Sequence, residues 1–127
     1  MIKWCEEVLK EELLEYNLQM ENICTLDRYD NYISEKVLSI LLKWACYGQH
    51  ISGITIGREK IAEIPKAWLK AHLIIVVKRD FDYSDYWNFA RLLEVVVETL
   101  PELKDAILSL NSETTDQDLI DIINDYK

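Results

Sequence analysis

From Tyr86 to Leu100, the residues Tyr86, Phe89, Leu92, Leu93, Val96, Val97 and Leu100 recur three or four positions apart. This is the period of one face of an α-helix; a strand, whose side chains alternate every second residue, cannot gather them on one side. The same period returns along the chain. Trp4, Val8, Leu9, Leu13, Tyr16 and Met20 trace it over residues 2–20, and Ile33, Val37, Ile40, Leu41 and Trp44 over 31–47. Leu103, Ile107 and Leu110 follow Pro101, and Leu119, Ile122, Ile123 and Tyr126 fall within 116–126. With only three Gly and two Pro, the chain has few sites for tight turns. The expected class is all-α.

Residues 65–78 hold Trp68, Leu69, Leu73, Ile74, Ile75, Val76 and Val77. Pro65 suits the first helical position, where its missing N–H costs nothing. A helix apolar on nearly every side is expected to be the central one. The run His72–Val77 also reads as a buried strand. Helix is preferred because its flanks are helical and no second strong strand exists to pair with it.

The helix ends carry weaker signals. Gly48 sits where a left-handed cap follows the second helix. Residues 48–57, "GQHISGITIG", contain all three glycines and read as a loop with a short extended stretch, leading to a short helix over 58–63. "ENICTLDRYDN" reads as a connection. Ser84 or Asp82 is expected to cap the helix beginning near residue 84. Thr115, followed by Asp118, is expected to open the last one. The prediction is one domain over 1–127, built as a HEAT-like stack of six or seven helices in antiparallel hairpins. An irregular helical bundle is the alternative. "YDNY" at 29–32 and "YSDY" at 83–86 form a faint internal echo of that kind.

Charge is unevenly distributed. The formal net charge is −9. Residues 1–35 have nine acids and three bases, 36–79 two acids and eight bases, and 80–127 twelve acids and three bases. The local balances are therefore −6, +6 and −9. The last third repels nucleic acid and anionic membranes and attracts a basic protein. Its acids also read simply as a solvating surface. The opening residues lack the apolar core of a signal peptide, and "LIIVV" is too short to cross a bilayer. Three cysteines, an odd number, suit a reducing compartment. The expected location is cytoplasmic, with no membrane partner.

No motif for catalysis stands out. Cys46 and His50 are four apart but separated by Gly48, and two ligands fall short of a structural zinc site. Asp80, Asp82 and Ser84 hint at a calcium loop, but Asp85 and Arg91 occupy the positions that need Gly and Glu. His72 lies in the most apolar segment and reads as a packed core residue. A Cys46–His50 nucleophile pair, in the loop around His50, is the enzymatic reading. Lys60, Lys66, Lys70, Lys78 and Arg79 form a possible basic strip for nucleic acid. The expectation is a non-enzyme without cofactor or metal and without direct nucleic-acid binding.

The stretch "RDFDYSDYWNF", residues 79–89, packs Phe81, Tyr83, Tyr86, Trp87 and Phe89 among Asp80, Asp82 and Asp85. The helical wheel turns Tyr86 and Phe89 toward Leu93 and Val97, and Trp87 the other way. Trp87 reads either as packed beneath a neighbouring hairpin or as an exposed anchor. With Tyr83 and the three aspartates it would form a contact surface for a positively charged partner, because rigid aromatics among carboxylates match such a surface. The acids of the terminal helix, Asp116, Asp118, Asp121 and Asp125, extend the candidate partner-binding set.

"REKIAEIPKAWL", "YWNFARLLEVV", "LPELKDAILSLN" and "DQDLIDIINDY", spanning residues 58–127, resemble the small helical immunity proteins of bacterial polymorphic-toxin and contact-dependent growth inhibition systems. The "FARLLEVV" element and the acidic terminal helix carry most of the resemblance. It implies an antitoxin-like inhibitor that binds and occludes a cognate toxin domain, with a basic nuclease as the expected target. Those families share no catalytic residues, so none is carried over. A non-catalytic helical scaffold or regulatory adaptor is the second reading.

Overall fold

A computed structural model describes residues 2–48 and 50–127 of the chain. The described residues form seven α-helices: α1 (Ile2–Leu14), α2 (Asn31–Tyr47), α3 (Ile51–Glu63), α4 (Lys66–Asp80), α5 (Tyr86–Thr99), α6 (Lys104–Ser109) and α7 (Gln117–Tyr126). Two 3-10 segments, Met20–Arg28 and Pro101–Leu103, lie between them. There is no strand among the described residues, and the His72–Val77 run is helical. Buried residues from every α-helix join one core cluster.

The order of packing follows from the connections. α1 lies against α3, α3 against α5 and α5 against α7, while α4 lies against α2. Asn31 meets Trp68 and Glu35 meets His72, so α2 and α4 advance in the same direction. That alternation is one feature of stacked helical hairpins, whereas among consecutive α-helices only α2 with α3 and α5 with α6 pack extensively. Irregularity enters through the 3-10 segments and through α2, which contacts α3, α4 and α5. The hub is therefore α2, where α4 was expected. Val37, Leu38, Leu41, Leu42, Ala45 and Cys46 of α2 are all sealed from solvent. α4 buries Trp68, Leu69, Leu73, Val76 and Val77 but leaves Ile75 51 % exposed, so one of its sides is open.

Several helix boundaries differ from the expected ones. α1 stops at Leu14 rather than Met20. Asn17 adopts a left-handed φ of 59°. The Leu18 N–H then donates to the Leu13 carbonyl and the Asn17 N–H to the Leu14 carbonyl. This is a Schellman ending with Asn in the place usually held by Gly. It buries Leu18 beside Leu13 and sends the chain into the 3-10 segment that had read as a plain connection. The buried face of α1 is Cys5, Leu9 and Leu13, and Trp4 is outside it.

Gly48 is extended, at φ −72° and ψ 161°, so it is not a left-handed cap. The segment after it is mostly helix, since α3 begins at Ile51; Gln49 lies outside the described residues. Gly53 and Gly57 sit inside α3 on the side facing α2. A Cβ built on Gly57 would lie 2.5 Å from the Ala45 nitrogen. The backbones of α2 and α3 thus meet more closely than side chains permit. This contact offsets the helix propensity that glycine lacks.

Aspartates cap three helices. Asp30 accepts from the Tyr32 N–H, Asp85 from Asn88 and Asp116 from Asp118. Each cap satisfies a backbone donor at a helix start that has no intrahelical partner. The caps of α5 and α7 are therefore Asp85 and Asp116, where Ser84 or Asp82 and Thr115 were expected. Asp82 instead binds the N–H and hydroxyl of Ser84 in the preceding turn. Pro65 is the residue just before α4, not its first. On α5 the buried stripe runs through Phe89, Leu92, Leu93, Val95 and Val96, and Val97 is 40 % exposed. α7 buries Leu119, Ile122 and Ile123, as its periodicity required.

Candidate partner-binding surface

The turn between α4 and α5 is held from three sides. The Asp82 N–H donates to the Tyr47 hydroxyl at the end of α2, over 2.7 Å. The Asn88 side chain donates to the Asp82 carbonyl, and Asn111, beyond α6, donates to the Tyr83 carbonyl over 2.7 Å. The Tyr47 and Phe81 rings pack 5.2 Å apart beneath. A turn tied in this way holds its side chains in one arrangement, which lowers the ordering cost of binding through them.

Trp87 emerges from this support 64 % exposed. The alternative in which a neighbouring hairpin covers it is overturned. Its ring meets Tyr86 edge-on at 5.2 Å, and the Arg91 guanidinium lies 5.9 Å from it. Arg91 in turn donates to the carbonyls of Cys46 and Gly48. Trp87 is thus an exposed ring with its neighbours ordered. Together with Tyr47, Asp85, Asn88 and Arg91 it lines a recess of about 320 Å³.

The other candidate residues divide. Asp85 is exposed beside Trp87 and Asp82 is exposed in the turn before it, although each also accepts hydrogen bonds in the turn or the helix cap. Asp80 departs from the expectation of a free carboxylate. Arg79 holds it through two N–H donors at 2.9 and 3.0 Å, and that bonding keeps its carboxyl below the usual range. Tyr83 is half-buried against the core rather than a free anchor. On α7, Asp116 is spent on the cap and Asp121 accepts from the Gln117 side chain over 2.8 Å, while Asp118 and Asp125 are exposed. Asp125 is close enough to Tyr126 for its charge to act on the phenol, beside Tyr86 and Glu94, so the end of α7 adjoins α5.

Two surface features carried no sequence signal. Trp4, expected in the core, is 61 % exposed. With Ile40, Trp44, Tyr47 and Gly53 it lines a groove of about 340 Å³, which Glu12, Lys43 and His50 also border. Tyr47 belongs to both this groove and the Trp87 recess, although 40 residue positions separate it from Trp87 in sequence.

The chemical alternatives gain little. Cys46 is buried, and that burial pushes its thiol up to about 12, so it is protonated and shielded as a nucleophile. His50 is exposed in the loop. Among the described residues no group of three or more His, Cys, Asp or Glu is placed to hold a metal ion, and no helix is long and apolar enough to cross a membrane. His72 is not a core residue. It is half-buried, stacked on Trp68 at 4.3 Å, with Nδ1 2.7 Å from Glu35. The basic strip is broken, since Lys60 pairs with Glu63, and Arg79 with Glu35 and Asp80. Lys66, Lys70 and Lys78 are exposed. Compared with protein-family models, curated proteins and solved structures, the chain finds no match.

Proposed function

We propose that this chain is an immunity protein: a non-catalytic inhibitor that binds a cognate bacterial toxin domain, a basic nuclease, and occludes it. The observation that carries the reading is Trp87, an exposed indole on a tied-down helix start with Asp85 beside it. Large aromatics with satisfied surroundings are the usual centres of binding energy, and carboxylates around them complement a cationic groove that would otherwise hold phosphate. The balance of twelve acids to three bases in residues 80–127 supports the same partner. The resemblance of residues 58–127 to immunity proteins supplies the toxin. On this reading the complex forms in the cytoplasm.

The test is protection and binding together. The product of the gene immediately upstream is co-expressed with this chain, a toxic C-terminal domain being expected there, and growth is compared with and without this chain. Binding of the two purified proteins is then measured at low and high salt. Protection is expected, with an association rate that falls as the screening length drops below about 10 Å. Trp87→Ala is expected to keep its melting temperature while binding weakens by roughly 2 kcal/mol or more, the scale of a binding hot spot. Failure to protect and to bind would sink the proposal. Protection with a salt-independent rate would remove only the electrostatic part.

A further inference from the structure

We infer that the outer face of α4 is a second docking surface, and that it seats an acidic amphipathic helix of another protein, whose carboxylates pair with Lys66, Lys70 and Lys78. This does not rest on the reading of the chain as a toxin inhibitor. No residue of α4 lines the Trp87 recess or the Trp4 groove.

α4 has the residue pattern of a covered helix in the position of an edge helix. Trp68, Leu69, Leu73, Val76 and Val77 are its buried side. The other side also carries apolar residues, Ala67, Ala71, Ile74 and Ile75. At 3.6 residues per turn, these four with Lys70 and Lys78 fall within an arc of about 140°. Ile74 is half-buried and the other five are exposed, Ile75 by 51 %. A helix apolar on all sides belongs between two neighbours. Among the described residues, α2 is the only helix on which α4 packs extensively, so its outer side has no helix of this chain against it. A ridge of side chains four residues apart fits the groove of a second helix. No strand among the described residues offers an edge to an extended segment, so a helix is the occupant this fold can take.

The charges on this face are of one sign and unpaired. From Lys66 to Lys78 the helix contains no acid. Among the described residues Lys66, Lys70 and Lys78 form no ion pair. Along the helix axis Lys70 lies about 6 Å from Lys66 and about 12 Å from Lys78. The carboxylates before and beside α4 are engaged elsewhere. Glu63 pairs with Lys60, while Glu35 and Asp80 hold His72 and Arg79 on the α2 side. Lys36 and Lys43 also lie close enough to act on Asp80, so that flank sets three cations against two acids. An acidic helix laid on α4 therefore meets ammonium groups that have no partner within the fold. A nucleic acid or an anionic bilayer extends far beyond one helix and faces the acid excess of residues 1–35 and 80–127. A single helix confined to α4 feels that excess less, because screening weakens it beyond about 10 Å.

The experiment displays on phage a helical peptide with randomised outward positions and pans it against the full-length chain. Enriched peptides are synthesised, and their affinity is measured by fluorescence anisotropy at low and high salt. Sequences with apolar residues four apart, flanked by Glu or Asp, are expected, and they should bind more weakly as salt rises. Lys70→Glu combined with Lys78→Glu should weaken the selected peptide by about tenfold or more, and Ile75→Gln by about fivefold or more. The three positions are exposed and the replacements suit a helix, so melting temperatures should stay close to that of the wild type. Enrichment of basic peptides, of no peptide, or of peptides indifferent to the α4 substitutions overturns the inference. So does binding of phosphatidylglycerol vesicles or a single-stranded oligonucleotide that the lysine substitutions abolish, because the face would then belong to a lipid or a nucleic acid. A dimer, seen by sedimentation, that the lysine substitutions dissolve overturns it as well, since the occupant would be a second copy. Failure of toxin protection leaves this inference standing, and failure of the peptides leaves the inhibitor reading standing.

Discussion

The three glycines offer a graded test of how α2 and α3 meet. At Gly57 an added methyl would sit 2.5 Å from the Ala45 nitrogen and 2.8 Å from its Cα. Ordinary contact begins at 3.4 Å, so α3 must retreat by about 0.9 Å, because a backbone atom cannot rotate aside. Overpacking of this kind costs about 1–3 kcal/mol, here at the upper end because the obstructing atoms are backbone, and the Gly-to-Ala gain in helix propensity returns roughly 1 kcal/mol. We expect Gly57→Ala to be destabilised by about 2 kcal/mol, or roughly 6–10 °C for a domain of this size. At Gly53 the nearest atom is a ring carbon of Trp44 at 3.3 Å, which needs to shift only slightly. The propensity gain there nearly cancels the crowding, so Gly53→Ala should remain within about 1 kcal/mol of the wild type. At Gly48 the backbone is extended and the nearest atom is 3.7 Å away. Gly48→Ala should be neutral or stabilising by up to about 1 kcal/mol, by narrowing the unfolded ensemble. Urea and thermal unfolding of the three variants, followed by circular dichroism, give the order directly. A Gly57→Ala as stable as the wild type would refute the close approach of α2 and α3, and a marked loss in Gly48→Ala would restore a left-handed cap.

Other expectations concern charge, a buried hydroxyl and the thiols. Hydrogen bonds from His72 and then Arg79 hold the Glu35 carboxyl below its usual value of 4.5. Its stabilisation is therefore present above that value and lost as pH falls through the lowered one. The gap in melting temperature between wild type and Glu35→Gln should be widest near neutrality and close in acid; a gap that widens in acid would contradict the pairing. Ser34 is buried and donates to the Leu26 carbonyl over 2.7 Å, fastening the first 3-10 segment to α2. Ser34→Ala should cost about 1–3 kcal/mol in chemical unfolding, the penalty of a stranded buried acceptor, and a neutral outcome would mean that water replaces the hydroxyl. Of the three cysteines only Cys24 is exposed, so alkylation of the native chain, followed by mass spectrometry, should modify Cys24 alone and all three after unfolding.

Helical class and the faces of α5 and α7 were legible because both depend on neighbours three and four positions away. Phe89, Leu92, Leu93 and Val96, and then Leu119, Ile122 and Ile123, declare their burial from spacing alone. The outward position of Trp87 was likewise one of the two readings its wheel angle allowed. At the edge of a stripe the period loses resolution: Val95 is buried and Val97 exposed, a choice made by what packs on either side of α5.

What only the tertiary structure decided are the places where a distant partner overrides a local preference. Gly53 and Gly57 look like loop residues until α2 lies close enough to need them without side chains. Asn17 looks helical until burial of Leu18 against Leu13 turns the chain there. Asp80 and Tyr83 look available for a partner until Arg79 and the core claim them, while Trp4 looks like core and is left outside. Tyr47 and Trp87 become neighbours only because α5 begins where α2 ends. Periodicity, composition and charge balance are sums over local residues, so the sequence determines them by itself. The hub role of α2, the close approach at Gly57 and the pairing of two aromatic recesses depend on contacts between residues far apart in the chain, and those exist only after the helices have packed.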